Sequence, residues 1–258
     1  MEFFPWIGRG DAEQNTDRTG SKGISIMTFD VYELVALIFS LIAVIFVLTI
    51  HEYAHAFVAV KCGDPTPKLN GRLTLNPLKH FDIFGLIMFA LCGFGWAKPV
   101  PINPYNFKNY RKGLAMTALA GVVTNLICAI FFYPLYRLVY LYMSASVWRT
   151  MLMYLFYYLY IYSLTFCVFN LIPLPPLDGW RVVDAVKRKR GQIFYWIERY
   201  GQIVLMVLIV IHFIVNLLTN YFTALSFLQY FDLLGLFLNY IVYYIGYPIR
   251  WLWGLIIV

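Results

Sequence analysis

Hydrophobic positions run almost unbroken from Val31 to Ile50, and the run ends in His51, Glu52 and His55. About twenty apolar residues at roughly 1.5 Å each cross a hydrocarbon core of about 30 Å, so the pattern predicts a spanning helix over about 30–60. Both histidines then lie near its exit. Further apolar runs predict spans at about 113–143, 147–173 and 192–218. The stretch 84–96 is apolar over only 13 residues, too short for an easy crossing and suited to a re-entrant or interfacial segment. Pro65, Pro67, Pro77, Pro99, Pro101 and Pro104 break any long helix around it, and Gly71-Arg72-Leu73-Thr74-Leu75-Asn76 reads as a short strand. Residues 66–106 are therefore expected to be strands and a hairpin dipping into the membrane.

The stretch 221–258 exceeds one crossing and contains Pro248 and Arg250, which predicts a fifth span plus an interfacial helix. Residues 1–26 are polar and glycine-rich, with no apolar core of signal-peptide length, and read as a disordered leader or cloning remnant. Three parts follow: the leader 1–26, a core 27–220 and a C-terminal part 221–258.

Composition agrees with this layout. Of the 258 residues 61% are apolar and 13% charged, about half the charged fraction of a soluble domain. The fold class expected is an all-α polytopic membrane protein of about five transmembrane helices plus a membrane-associated β or re-entrant hairpin. Eight Lys and Arg fall in 61–112 and six in 181–199, against three in 1–30. Basic residues gather on the cytoplasmic side, so the 61–112 and 177–191 loops are placed inside and the amino terminus outside. Lys187-Arg188-Lys189-Arg190 reads as a topology anchor at that surface. No basic stretch is interleaved with aromatics as nucleic-acid binding requires. Cys62, Cys92, Cys128 and Cys167 form no CxxC pair, which argues against a disulfide scaffold or thiolate metal site.

The candidate chemistry lies where the first run ends. His51 and His55 are four apart and share one helix face, so two imidazoles can meet one tetrahedral zinc while Glu52 sits beside the water it activates. A pair of interfacial histidines is the plain alternative, but ionisable groups in a hydrocarbon-length segment are costly to keep. A third ligand would decide. The third run closes in Asn170-Leu171-Ile172-Pro173-Leu174-Pro175-Pro176-Leu177-Asp178-Gly179. Its prolines forbid a continuing helix, so Asp178 is delivered from an unwound segment, on the side and at the depth of the histidines by the charge count. His80 reads as interfacial, and His212 as a packing or hydrogen-bonded histidine.

These residues resemble the site-2 protease family of intramembrane zinc metalloproteases. His51-Glu52-Tyr53-Ala54-His55 and the Asn170 to Gly179 segment carry the resemblance, with Gly63-Asp64-Pro65, the Gly71 to His80 stretch and Trp96-Ala97-Lys98-Pro99-Val100 between them. It implies that His51, His55 and Asp178 bind one zinc per chain and that Glu52 is general base and then proton donor. Gly121-Val122-Val123-Thr124-Asn125 matches a further family pattern, with Val122 where many members have proline. For Asn125 and Asn170 the resemblance implies a hold on substrate backbone or oxyanion, with a helix-packing hydrogen bond as the alternative for each. The implied substrate is a transmembrane segment of a membrane protein, cut near the cytoplasmic side, with a separate regulatory membrane partner. The compact type is expected, without room for PDZ or CBS domains. A non-catalytic relative and a metal transporter are the rival readings.

Overall fold

The computed structural model describes residues 31–92, 95–187 and 189–257, so the expected leader 1–26 lies outside the described residues. In chain order the helices are α1 (Val31–Cys62), α2 (Thr66–Leu69), α3 (Ile83–Cys92), α4 (Tyr110–Tyr142), α5 (Val147–Asn170), α6 (Asp178–Val186), α7 (Gln192–Tyr221) and α8 (Leu233–Ile256). By length and composition α1, α4, α5 and α7 can each cross a membrane. A fifth crossing is available from the pair Ala224–Phe231 and Leu233–Ile256, which meet at 74°. The chain is therefore a helical, multi-pass membrane protein.

The core is a three-helix unit of α1, α4 and α5, with α8 laid against it. On α1 the buried positions Ala36, Ser40, Ala43, Val44, Val47, His51, Ala54 and His55 recur every three or four residues, so one stripe carries both the packing face and the histidines. Facing it, α4 buries Gly113, Thr117, Ala118, Gly121, Asn125 and Ala129. Lipid is as apolar as leucine, so nothing drives such helices together except close contact and hydrogen bonds, which small residues permit. On α5, Tyr158, Tyr160 and Tyr162 are buried packing residues.

The strand expected over Gly71–Asn76 does not form. Gly71 has a positive φ of 65° and turns the chain directly after α2. The Arg72 backbone N–H donates to the Pro67 carbonyl at 2.8 Å, and its guanidinium donates to the carbonyls of Lys79 and Lys98. The Thr74 carbonyl accepts from the His80 ring at 2.8 Å. The Arg72 N–H and the Thr74 carbonyl thus find partners within the turn and on His80, and not on a neighbouring strand. His80, expected at the interface, is fully buried. Among the described residues extended pairing is limited to one antiparallel bridge, Phe81 with Ala97, supported by Lys98 N–H donating to the His80 carbonyl at 2.8 Å. The bridge holds the two flanks of α3 side by side. A ten-residue helix rises about 15 Å, half a hydrocarbon core.

Candidate metal centre

α1 reaches its last three turns with His51 and His55 stacked one turn apart, their ring centroids 4.5 Å apart and nearly perpendicular. Asp178 comes from the first turn of α6, after the chain has left α5 at Asn170 and passed through Pro173, Pro175 and Pro176. Gly179 makes this return possible. A Cβ there would stand 2.4 Å from the Leu171 carbonyl oxygen and 2.6 Å from that of Ile172. α6 therefore packs directly on the end of α5.

The two Nε2 atoms are 2.9 Å apart, and the Oδ2 of Asp178 is 3.3 Å from that of His51 and 3.0 Å from that of His55. Ligands about 2.0 to 2.1 Å from a tetrahedral zinc are roughly 3.3 Å from one another, so the triangle fits a zinc ion closely. All three residues are buried. Asp178 Oδ2 has no hydrogen-bond partner, and both imidazole Nε2 atoms turn to the same point. A cation there satisfies all three. A metal requires the deprotonated carboxylate and neutral imidazoles.

The histidines are tethered to α4. His55 Nδ1 lies 2.7 Å from the Thr117 carbonyl, and His51 Nδ1 lies 3.0 Å from the Asn125 amide. Between them, a Cβ on Gly121 would come within 2.4 Å of His51 Cε1 and 2.6 Å of His55 Nε2.

Glu52 sits beside this group with its Oε2 accepting from the Val100 backbone N–H at 3.1 Å. Both face a cavity of about 100 Å³, lined also by Pro99, Ile102, Asn170, Leu177 and Arg181. Asn170 thus reaches the cavity, while its amide N–H donates to the Phe166 carbonyl at 3.0 Å. Asn125 does not: it is fully buried behind His51. Arg181, one helical turn beyond Asp178, stands 3.6 Å from the second carboxylate oxygen and was not singled out by the sequence. The i,i+3 spacing from Asp178 is the signal that would have marked it.

The segment roofing the cavity is fixed by Asp64. Its carboxylate accepts from Thr66 N–H at 3.0 Å, Thr66 Oγ1 at 2.5 Å, Asn103 N–H at 2.7 Å and Asn106 Nδ2 at 2.8 Å. Burial works to raise its pKa, but these donors outweigh it and hold the group below the ordinary aspartate value. His212 on α7 is hydrogen-bonded as expected, its Nδ1 lying 2.7 Å from Asp232.

The family model described as Peptidase family M50 matches residues 136–215, a stretch that holds Asn170 and Asp178. "Putative zinc metalloprotease YwhC" of Bacillus subtilis is 41% identical over 186 residues, 69% of this chain and 83% of its own length. The like-named Rip2 of Mycolicibacterium smegmatis is 31% identical over 142 residues, 53% of this chain and 52% of its own. Rip2 of Mycobacterium tuberculosis is 31% identical over 151 residues, 56% of each chain. No solved structure matches.

Proposed function

Because the chain belongs to peptidase family M50, the site-2 proteases, and is a membrane metalloendopeptidase with a zinc cofactor, we propose that it cuts transmembrane segments of other membrane proteins near the cytoplasmic side. One zinc is held by His51, His55 and Asp178, and Glu52 handles the protons. The observation that carries this reading is the meeting of three buried ligand atoms with Glu52 on the wall of one polar cavity.

When bound, zinc supplies the Lewis acidity that acidifies water and polarises a carbonyl. Glu52 takes the proton of the attacking water and returns it to the leaving amine. Its single hydrogen bond from Val100 leaves the carboxylate lone pairs free for that exchange. Asn170 and Arg181, on the same wall, offer N–H groups to the substrate backbone around the scissile bond. The basic residues within 61–112 and 181–199 support a cytoplasmic position for this end of α1, with α3 entering and leaving the membrane from there.

Roughly 100 Å³ houses a few waters at about 30 Å³ each and no peptide. Substrate entry therefore requires the 98–104 segment to shift, and an unwound substrate pairs with it as an added strand. A separate membrane partner regulates that access. The test is cleavage of single-span substrates by the reconstituted protein and by Glu52→Gln. Loss of the general base is expected to lower the rate about 10² to 10⁴-fold with zinc retained. A Glu52→Gln protein that cleaves at the wild-type rate would overturn the assignment.

A further inference from the structure

We infer that Asn125 is a positioning residue for His51 and touches no substrate: its amide oxygen accepts the Nδ1 proton and holds the imidazole with Nε2 turned to the metal. The inference rests on the metal-site reading above and concerns what stands behind it.

A neutral imidazole carries one N–H. To ligate through Nε2, the ring must hold its proton on Nδ1, and a buried N–H needs an acceptor. Both histidines here bring Nε2 to the shared point, 2.9 Å apart. Both therefore donate backwards from Nδ1. His55 donates to the Thr117 carbonyl, 2.7 Å away. For His51 the group at hydrogen-bonding distance is the Asn125 side chain, 3.0 Å away.

That amide stands with its nitrogen toward His51 and its oxygen without a hydrogen-bond partner. Two donors face each other once the ring is in its ligating tautomer, so only the amide turned by half a circle makes a bond. The half-turn also ends the isolation of the oxygen. Asn125 is fully buried, and it is absent from the wall of the cavity that Asn170 and Arg181 line. No substrate atom reaches it there. Thr117, Gly121 and Asn125 are four apart, on one face of α4. Along that face the first holds His55, the second leaves room for both rings, and the third holds His51.

The experiment measures zinc affinity of the detergent-solubilised full chain by chelator competition, for wild type, Asn125→Leu, Asn125→Asp and His51→Ala. Leucine fills the space and accepts nothing; aspartate keeps the size and an acceptor. Asn125→Leu is expected to lose affinity about 10- to 100-fold, while Asn125→Asp stays within about threefold of wild type. At saturating zinc, Asn125→Leu shows a lowered kcat with unchanged KM. In the cobalt-loaded protein, two shifted exchangeable imidazole protons are expected for wild type and Asn125→Asp. One is lost or moved in Asn125→Leu. Wild-type zinc affinity in Asn125→Leu, together with a raised KM, would overturn the inference in favour of a substrate contact. If Asn125→Leu does not fold, Asn125→Asp carries the test: a large affinity loss in that folded variant refutes the acceptor role. His51→Ala separates the two levels, since undiminished zinc binding there sinks the metal site itself.

Discussion

At the scale of single residues the candidate site was legible where it is local. His51, Glu52 and His55 are read from a four-residue spacing on one helix. Asp178 needed the break in the third apolar run and the family resemblance. What surrounds them was not legible. The contacts of Thr117, Gly121 and Asn125 with the histidines depend on the rotation of α4 against α1, which no periodicity within α4 specifies. Gly121 gives the sharpest test. Alanine is ordinarily the better helix former by about 1 kcal/mol, so in isolation Gly121→Ala would strengthen α4. Here the added methyl meets His51 Nδ1 at 2.7 Å and His55 Nε2 at 2.6 Å. Gly121→Ala is expected to fold and insert, yet to lose zinc content and cleavage together. Zinc analysis of the purified variant checks it, and full occupancy would show that the rings have room to move.

At the scale of elements, the spanning helices followed from runs long enough to cross lipid, and their observed bounds fall close to those expected. The 66–106 segment did not follow. It is shaped by side chains bonding to distant main chain, with Arg72 reaching Lys98 and Asp64 reaching Asn103, and such bonds leave no period in a sequence. Asp64 is the strongest of these ties, since it fastens the end of α1 to the segment that roofs the cavity. Asp64 is buried while its donors on Thr66, Asn103 and Asn106 are partly or fully exposed, so removing this charged acceptor costs on the order of 1.5 to 3 kcal/mol. Asp64→Ala is therefore expected to unfold at lower temperature in detergent and to cleave poorly while keeping its zinc. The pH dependence has a definite sign. The folded pKa of Asp64 is lowered, so its contribution is complete above about pH 4, near the unfolded value, and is lost as pH falls through the folded value. The stability gap between wild type and Asp64→Ala should shrink in acid. A gap that widened there would contradict the assignment of Asp64 as a charged acceptor.

At the scale of the whole molecule, the proposed orientation ties the site to one side of the membrane through the fate of α3. The Phe81 to Ala97 bridge keeps both flanks of α3 together, and ten residues span about half the hydrocarbon core. If α3 turns back, the loops before and after it share a side, and α4, α5, α7 and α8 alternate so that every strongly basic loop falls in the cytoplasm. If α3 crossed, Asp178 and the histidines would be served by loops on opposite sides, and the charge pattern would fail. Single cysteines decide it, introduced in a chain freed of its native ones at Leu75 before α3, Tyr105 after it and Ser144 between α4 and α5. All three positions are exposed. In intact cells an impermeant maleimide is expected to label Ser144→Cys alone, with Leu75→Cys and Tyr105→Cys reacting only after permeabilisation. Labelling of Leu75→Cys and Tyr105→Cys from opposite sides would make α3 a span. The reversed pattern at all three would turn the molecule over and open the cavity beside Glu52 to the outside, where the substrates it meets and the domains it releases would be different ones.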